Sequence, residues 1–273
     1  MRSVGLGAEL VNPVSWVMDA RGIHYDATRE SDLEHLLGNG HFSAELLERA
    51  ARLRERIVAM GITKYNTGRG EWRRPFTPAK VILVPGQVES DASLRLGAPG
   101  VCTNLGLLHA VRQACPKAYI VYKPHPDVAA GIRANGTSEC EALRWCNELV
   151  PDVSIDLVLN EVDEVHVLTS LAGFEALLRE KPVTCYGMPF YAGWGLTRDE
   201  LQEPRRRRRL TLDELVAGAL IIYPRYVSRV SGERMTAEQA LDELLQWRER
   251  APRRVRLWQY LWRALLRLTV SST

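Results

Sequence analysis

Lys80-Val-Ile-Leu-Val-Pro-Gly-Gln-Val-Glu-Ser-Asp91 is the stretch on which the fold turns. The aliphatic run Val81 to Val84, closed by Pro85-Gly86, reads as a short strand buried on both faces. Downstream the pattern repeats. A helix is expected over 103–115, a strand at Ala118-Tyr-Ile-Val-Tyr122 and a helix over 138–149. A strand at Val165-His-Val-Leu168, a helix from Leu171 to Arg179 and a strand at Val183-Thr-Cys-Tyr186 come next, then helices over 211–222 and 236–249. Strands alternating with helices at this spacing predict an α/β fold with a parallel sheet.

Upstream the character differs. Residues 14–26 read as short extended pieces, and 43–60 as a helix with Ser43 at its N-cap. Leu46, Leu47, Ala50, Leu53, Ile57 and Val58 form its apolar stripe. The polar stretch from Asn66 to Pro78 marks a boundary, so three parts are expected: 1–75, 76–250 and a basic tail over 251–273. In a helix from Arg253 to Leu268, Leu257, Leu261, Ala264, Leu265 and Leu268 lie on one side. Arg256, Arg263 and Arg267 lie on the other, which suits either an interfacial helix on anionic lipid or a helix packed on the body. The run Arg205 to Arg209 reads as a solvated loop or as part of the same membrane-facing surface.

Bulk properties narrow the classes. A chain of 273 residues with 46% hydrophobic content can fill one large core or two smaller ones. A net charge of +3 is too small to imply a nucleic-acid partner. The five cysteines have no metal-finger spacing and read as reduced thiols, with no metal centre expected. Every apolar stretch is far shorter than the roughly 20 residues of a membrane span.

In open α/β sheets, ligands bind beyond the carboxyl ends of the strands. Three clusters fall there. Glu89 and Asp91 follow the first strand, either as cap and loop acids or as a nucleophile or general base. Lys123-Pro-His-Pro-Asp127 presents a lysine and a histidine on a loop stiffened by two prolines, suited to binding phosphate. Thr169-Ser170 opens Leu-Ala-Gly-Phe-Glu175, a helix N-terminus whose amides and dipole favour an anion, with Glu175 one turn on. Gly187-Met-Pro-Phe-Tyr-Ala-Gly-Trp-Gly195 reads equally as a stacking loop for a ring-shaped ligand or as a packed loop. His166, inside an apolar strand, reads as a core histidine, and His109 as structural too.

Taken together, these segments resemble the capsular polysaccharide biosynthesis/export family. The resemblance is carried by Gly86–Asp91, Lys123–Val128, Thr169–Leu178, Tyr186–Thr197 and Tyr223-Pro-Arg-Tyr226, with Tyr25-Asp-Ala-Thr, Ser31-Asp-Leu-Glu-His and Arg2-Ser-Val-Gly-Leu-Gly-Ala. It implies a GT-B-like architecture: a Rossmann-like parallel-sheet nucleotide-binding domain over 76–250 with part of an N-terminal Rossmann-like domain over 1–75. It implies a retaining β-Kdo transferase that uses CMP-β-Kdo as donor, needs no cofactor and extends a lipid-linked Kdo acceptor. Such a chain would work in the cytoplasm at the inner-membrane surface, alongside the capsule assembly and export machinery.

Position by position, Asp91 would attack the anomeric carbon, and Lys123 and His125 would hold the CMP phosphate and assist its departure. Ser170 would cap that phosphate and Glu175 would hold the ribose, with Gln87, Pro126, Asp127 and Thr169 completing the donor site. Family members carry further sequence ahead of the Arg2–Ala8 segment and often two such modules, so the chain is expected to be an N-terminally truncated copy of the second, C-terminal module. That leaves a catalytically inactive CMP-binding accessory module as the alternative.

Overall fold

Val81, Ile82, Leu83 and Val84 are all fully buried, which is what a central strand covered on both faces demands. A computed structural model describes residues 13–64, 68, 70–129 and 139–250. The expected tail helix over 253–268 and the Arg2–Ala8 segment lie outside the described residues.

In chain order the elements are β1 (Ser15–Trp16), α1 (Asp32–Asn39), α2 (Ala44–Ala59), β2 (Val81–Pro85), α3 (Ala92–Gly97), α4 (Asn104–Ala114) and β3 (Tyr119–Lys123). They continue with α5 (Pro126–Ala129), α6 (Glu139–Ala142), β4 (Glu148–Leu149), α7 (Ile155–Glu161), β5 (Glu164–Val167), α8 (Leu171–Leu178) and β6 (Val183–Cys185). The chain then forms β7 (Arg198–Asp199), α9 (Leu212–Val216), β8 (Arg225–Val227), β9 (Arg234–Met235) and α10 (Ala237–Arg250).

The main sheet has six strands in the order β4-β3-β2-β5-β6-β7, and every pairing in it is parallel. The order runs outward in both directions from the β2–β5 pair, so the switch point lies between the carboxyl ends of β2 and β5. This is the dinucleotide-fold order. One face, with Ile82, Val84, Ile120 and Tyr122, packs under Leu94 of α3, Leu107, Leu108 and Val111 of α4, and Ala142 of α6. The other face, with Leu83, Val121, Val165 and Val167, packs under α7 and α8 and then α9. Leu33, Leu37 and Ala50 bring α1 and α2 into that same cluster.

The N- and C-terminal ends of the described chain meet on α2. Leu53 and Ile62 share a cluster with Ala240, Leu241 and Leu244 of α10. Arg49 clamps Glu238 with two hydrogen bonds of 2.7 and 2.8 Å. β1 pairs antiparallel with β8, which pairs with β9.

Most expected elements form within a residue or two of their predicted limits, but the helix over 138–149 does not. Only Glu139–Ala142 is helical at its described start, and the chain then returns to the sheet as β4. Asn147 is the cause: its side chain accepts from Ile120 N–H at 2.8 Å while its own N–H donates to Ile120 O at 2.8 Å, pinning the segment to β3. The helix over 211–222 forms, but its second half, Ala217–Ile222, is a π-helix. A Cβ on Gly218 would lie 2.6 Å from Leu37 Cδ2, so that glycine lets α1 pack closely.

The arginine run is not uniformly solvated: Arg205, Arg207 and Arg209 are exposed, but Arg206 turns into the core. Arg206 is buried, donating to Pro189 O at 2.6 Å and Ala192 O at 2.8 Å, and it pairs with Glu34 of α1 at 3.0 Å. Arg205 meets the same carboxylate at 2.6 Å. Arg208 reaches Gly40 O at 2.6 Å and Glu214 at 2.5 Å. A buried carboxylate at Glu34 draws these cations inward because burying either charge alone is costly. Among the described residues, no helix is long and apolar enough to cross a membrane.

Candidate functional site

β2 ends at Pro85, and the next residue must be small. A Cβ on Gly86 would lie 2.8 Å from the Tyr122 hydroxyl and 3.1 Å from His125 N. The β2 and β3 loops therefore touch back to back, fastened by Gly86 N–H donating to Lys123 O at 2.8 Å. Gln87 continues the fastening. Its N–H donates to Asn104 Oδ1 at 2.8 Å and its carbonyl accepts from Asn104 Nδ2 at 2.8 Å, while Glu89 accepts from Asn104 N–H at 2.7 Å. Glu89 is thus occupied at the start of α4. Asp91 takes the N-cap position of α3, yet its carboxylate does not cap that helix and instead lines a cleft.

That cleft, about 420 Å³, lies at the switch point. β2 contributes Gln87 and Asp91; β3 contributes Lys123, His125 and Pro126; β5 contributes Thr169, Ser170 and, through α8, Glu175. The structure therefore brings together eight of the nine residues singled out in the sequence. The ninth, Asp127, stands in the first turn of α5, and its side chain lies outside the described residues.

Each group arrives by a different physical route. Lys123 is buried, and its Nζ lies 3.4 Å from the carbonyls of Val150 and Pro151. Burial pushes its ammonium down to about 8, against the opposing charge of Asp152. A dry cation at the rim of a cleft gains strongly from an anion placed beside it. Pro126, which the sequence pattern assigns to a turn, instead begins α5, where its missing N–H costs nothing.

Ser170 caps α8, its hydroxyl accepting from Ala172 N–H at 3.3 Å. Gly173 in the first turn admits the Tyr191 ring, whose hydroxyl donates to Ser170 O; a Cβ there would meet that hydroxyl at 2.3 Å. Thr169 and Gln87 bond to each other across the switch point, so both act as struts of the site. Glu175 is buried one turn into α8, and Lys64 N–H donates to it at 2.6 Å. Burial pushes its carboxyl up to about 7, outweighing that hydrogen bond and the Arg179 charge. Near neutral pH the carboxyl is therefore divided between its protonated, donating form and its ionised, accepting form.

The aromatic loop is packed for part of its length and faces the cleft for the rest. Tyr191 and Trp194 are fully buried in the core, while Phe190 and Pro189 line the cleft. His166 is a core histidine, with Nε2 at 3.0 Å from Glu164 and Nδ1 at 3.4 Å from the Tyr186 hydroxyl. His109 packs edge-on to Trp145, with ring centroids 4.4 Å apart. Lining residues that the sequence reading did not single out for the site include His24, Lys64 and Ile155. None of them follows a strand of the main sheet that the sequence pattern marks, and only folding brings them over the strand ends.

Comparison with known proteins gives the family. The family model described as capsule polysaccharide biosynthesis protein matches residues 73–234. The capsule polysaccharide modification protein LipA of Neisseria meningitidis serogroup A is 48% identical over 246 residues, covering 90% of this chain and 35% of LipA. The lipopolysaccharide-processing protein LpsZ of Rhizobium meliloti is 41% identical over 257 residues, covering 93% of this chain and 58% of LpsZ. The chain thus spans about a third of the length of LipA.

Among solved structures, a β-Kdo 2,7 transferase, KpsC of Thermosulfurimonas dismutans, superposes with a TM-score of 0.77 at 50% identity, covering 86% of this chain and 74% of that one. A β-Kdo 2,4 transferase, also KpsC of Thermosulfurimonas dismutans, gives a TM-score of 0.78 at 37% identity, covering 90% and 77%. The expected α/β, GT-B-like architecture with a Rossmann-like parallel sheet is the one observed. By its sequence and its fold, the chain belongs to the capsule polysaccharide biosynthesis protein family.

Proposed function

We propose that the chain is a glycosyltransferase module of capsule assembly that moves Kdo from CMP-β-Kdo, with retention, onto a lipid-linked Kdo acceptor. Its product would be the poly-Kdo linker of an exported polysaccharide, made at the inner-membrane surface beside the export machinery. The observation that carries this reading is the convergence of Asp91, the Lys123–His125 loop and the α8 N-terminus on one cleft at the switch point. The names of the two KpsC structures supply the sugar.

In this scheme the Asp91 carboxylate attacks the anomeric carbon, and a glycosyl–aspartate ester forms as the bond to the phosphate oxygen breaks. CMP departs with the bonding pair. Lys123, His125 and the first-turn amides of α8 stabilise the charge that gathers on it. A single phosphate held by these groups needs less help from a metal than a diphosphate would. The acceptor hydroxyl then attacks the same carbon from the vacated side and releases Asp91, its proton passing to a phosphate oxygen or to water. Two inversions leave the original configuration. Glu175 holds the ribose hydroxyls and so fixes the nucleotide against α8.

The test is to incubate the purified chain with CMP-Kdo and a Kdo-terminated acceptor, alongside Asp91→Ala and Asp91→Asn. Expected are transfer by the parent chain, no transfer by either variant, unchanged CMP affinity in calorimetry, and a mass increment of one Kdo on the Asp91 peptide. Full transfer by Asp91→Ala would remove Asp91 from the mechanism. CMP binding without any turnover by the parent chain would favour the non-catalytic accessory module instead.

A further inference from the structure

His24 enters the cleft from the segment between β1 and α1, away from the strand ends that hold the nucleotide-site residues. Its ring stands edge-on to three others, with centroids 5.5 Å from Tyr25, 5.9 Å from Phe190 and 5.9 Å from Tyr223. Nδ1 is shut off from solvent and has no hydrogen-bond partner among the described residues. Because the ring lines the cleft, Nε2 is the nitrogen that can reach a ligand.

The arrangement decides the tautomer. A buried N–H without an acceptor is rarer and costlier than a buried lone pair, so the proton belongs on Nε2. The ring stays neutral for the same reason, since a second proton on Nδ1 would have no acceptor. Burial pushes the imidazole below its ordinary value, ahead of the opposing Asp19 charge. His24 therefore presents one neutral N–H donor from an otherwise aromatic wall.

That donor is held in place. The Tyr223 hydroxyl donates to Asp19 Oδ2 at 2.8 Å and accepts from the backbone N–H of His24. Asp19 in turn accepts from the N–H groups of Arg21 at 3.1 Å, Gly22 at 2.9 Å and Asp32 at 3.0 Å. Tyr223 directly follows the π-helix, a local distortion common at functional sites. A side chain locked this way is preorganised for binding.

We propose that His24 is a specificity residue whose Nε2–H donates to a sugar hydroxyl, with Tyr25 and Phe190 forming the apolar wall on which the C–H face of that sugar rests. This rests on the CMP-sugar reading of the cleft. A phosphate or carboxylate would favour a cation, and Lys123 supplies one elsewhere in the cleft, whereas a neutral donor among aromatic rings suits an uncharged hydroxyl. The hydroxyl belongs either to the donor sugar or to the acceptor sugar.

The experiment compares the parent chain with His24→Ala and His24→Gln in calorimetric binding of CMP, CMP-Kdo and a Kdo-terminated saccharide. Glutamine keeps an N–H donor near the position of Nε2. Expected for His24→Ala is CMP affinity equal to that of the parent, with about a tenfold loss for one sugar-bearing ligand. His24→Gln should recover most of that loss. A deficit confined to CMP-Kdo assigns the hydroxyl to the donor, and one confined to the saccharide assigns it to the acceptor. The proposal is overturned if His24→Ala binds both sugar-bearing ligands like the parent, if His24→Gln is no better than alanine, or if CMP affinity falls equally. A parent chain that does not bind CMP would instead overturn the reading of the site as a whole.

Discussion

Gln87 and Thr169 exchange two hydrogen bonds across the switch point: Gln87 Nε2 donates to Thr169 Oγ1 at 2.9 Å, and Thr169 N–H donates to Gln87 Oε1 at 3.1 Å. β2 and β5 are neighbours in the sheet, but beyond their ends the chains diverge to α3 and α8. The amide of Gln87 holds the two loops at a fixed spacing. Gln87→Leu keeps the volume and removes both bonds, leaving Thr169 N–H without its acceptor. Expected is a stability loss of roughly 1–3 kcal/mol in denaturant titration, together with weaker CMP binding. Unaltered CMP affinity would show that the spacing is set elsewhere.

Burial of Lys123 carries a stability cost. Its folded value of about 8 lies below the ordinary 10.5, so the folded state binds fewer protons than the unfolded one. The resulting cost is present in full below pH 8 and fades as pH rises toward 10.5. Lys123→Met should therefore stabilise the ligand-free chain at pH 7, by up to roughly 3 kcal/mol. The same change should weaken CMP binding at least tenfold, measured by calorimetry. A methionine variant that binds CMP normally would remove Lys123 from the phosphate site.

Glu175 carries the opposite sign from an ordinary surface carboxylate. Its folded value is raised to about 7 from 4.5, so the folded state holds a proton that the unfolded state has lost. Between pH 4.5 and 7 the stability of the parent chain should fall by roughly 3 kcal/mol from this group alone. Glu175→Gln should abolish that slope. Melting of both proteins at pH 5 and pH 8 measures it: equal pH dependence in the two would contradict the assignment.

Glu34 and Arg206 form a buried pair that holds the aromatic loop against α1. Glu34→Ala strands the buried Arg206 guanidinium and should lose roughly 3–5 kcal/mol, whereas Arg206→Ala leaves Glu34 paired with Arg205 at 2.6 Å and should lose less. The double variant should lose much less than the sum of the two. Because Pro189 and Phe190 line the cleft from this loop, Arg206→Ala should also weaken ligand binding in the fraction that remains folded. Additive losses in a double-mutant cycle would disprove the coupling.

Much of this was legible in the sequence because strand ends are local events. Val81–Val84, Pro124 and Pro126, and the Thr169–Ser170 cap announce where strands stop and what chemistry follows. What stayed hidden depended on contacts distant in the chain. The segment after Glu139 leaves its helix because Asn147 finds Ile120, 27 residues away. Arg206 turns inward because it finds Glu34, 172 residues upstream. No window of local sequence contains either partner.

Hydrophobic period, turn chemistry and motif residues are properties of short segments, and they are enough to read off a parallel α/β fold, the three strand-end clusters and the family. Tertiary structure alone decided that those clusters share one cleft at the switch point. It also decided that Lys123 and Glu175 are shifted from their ordinary ionisation, and that His24 joins them with a single nitrogen to offer. Burial and hydrogen-bond partnership are set by the whole packed chain, and those two quantities convert a list of polar residues into a site.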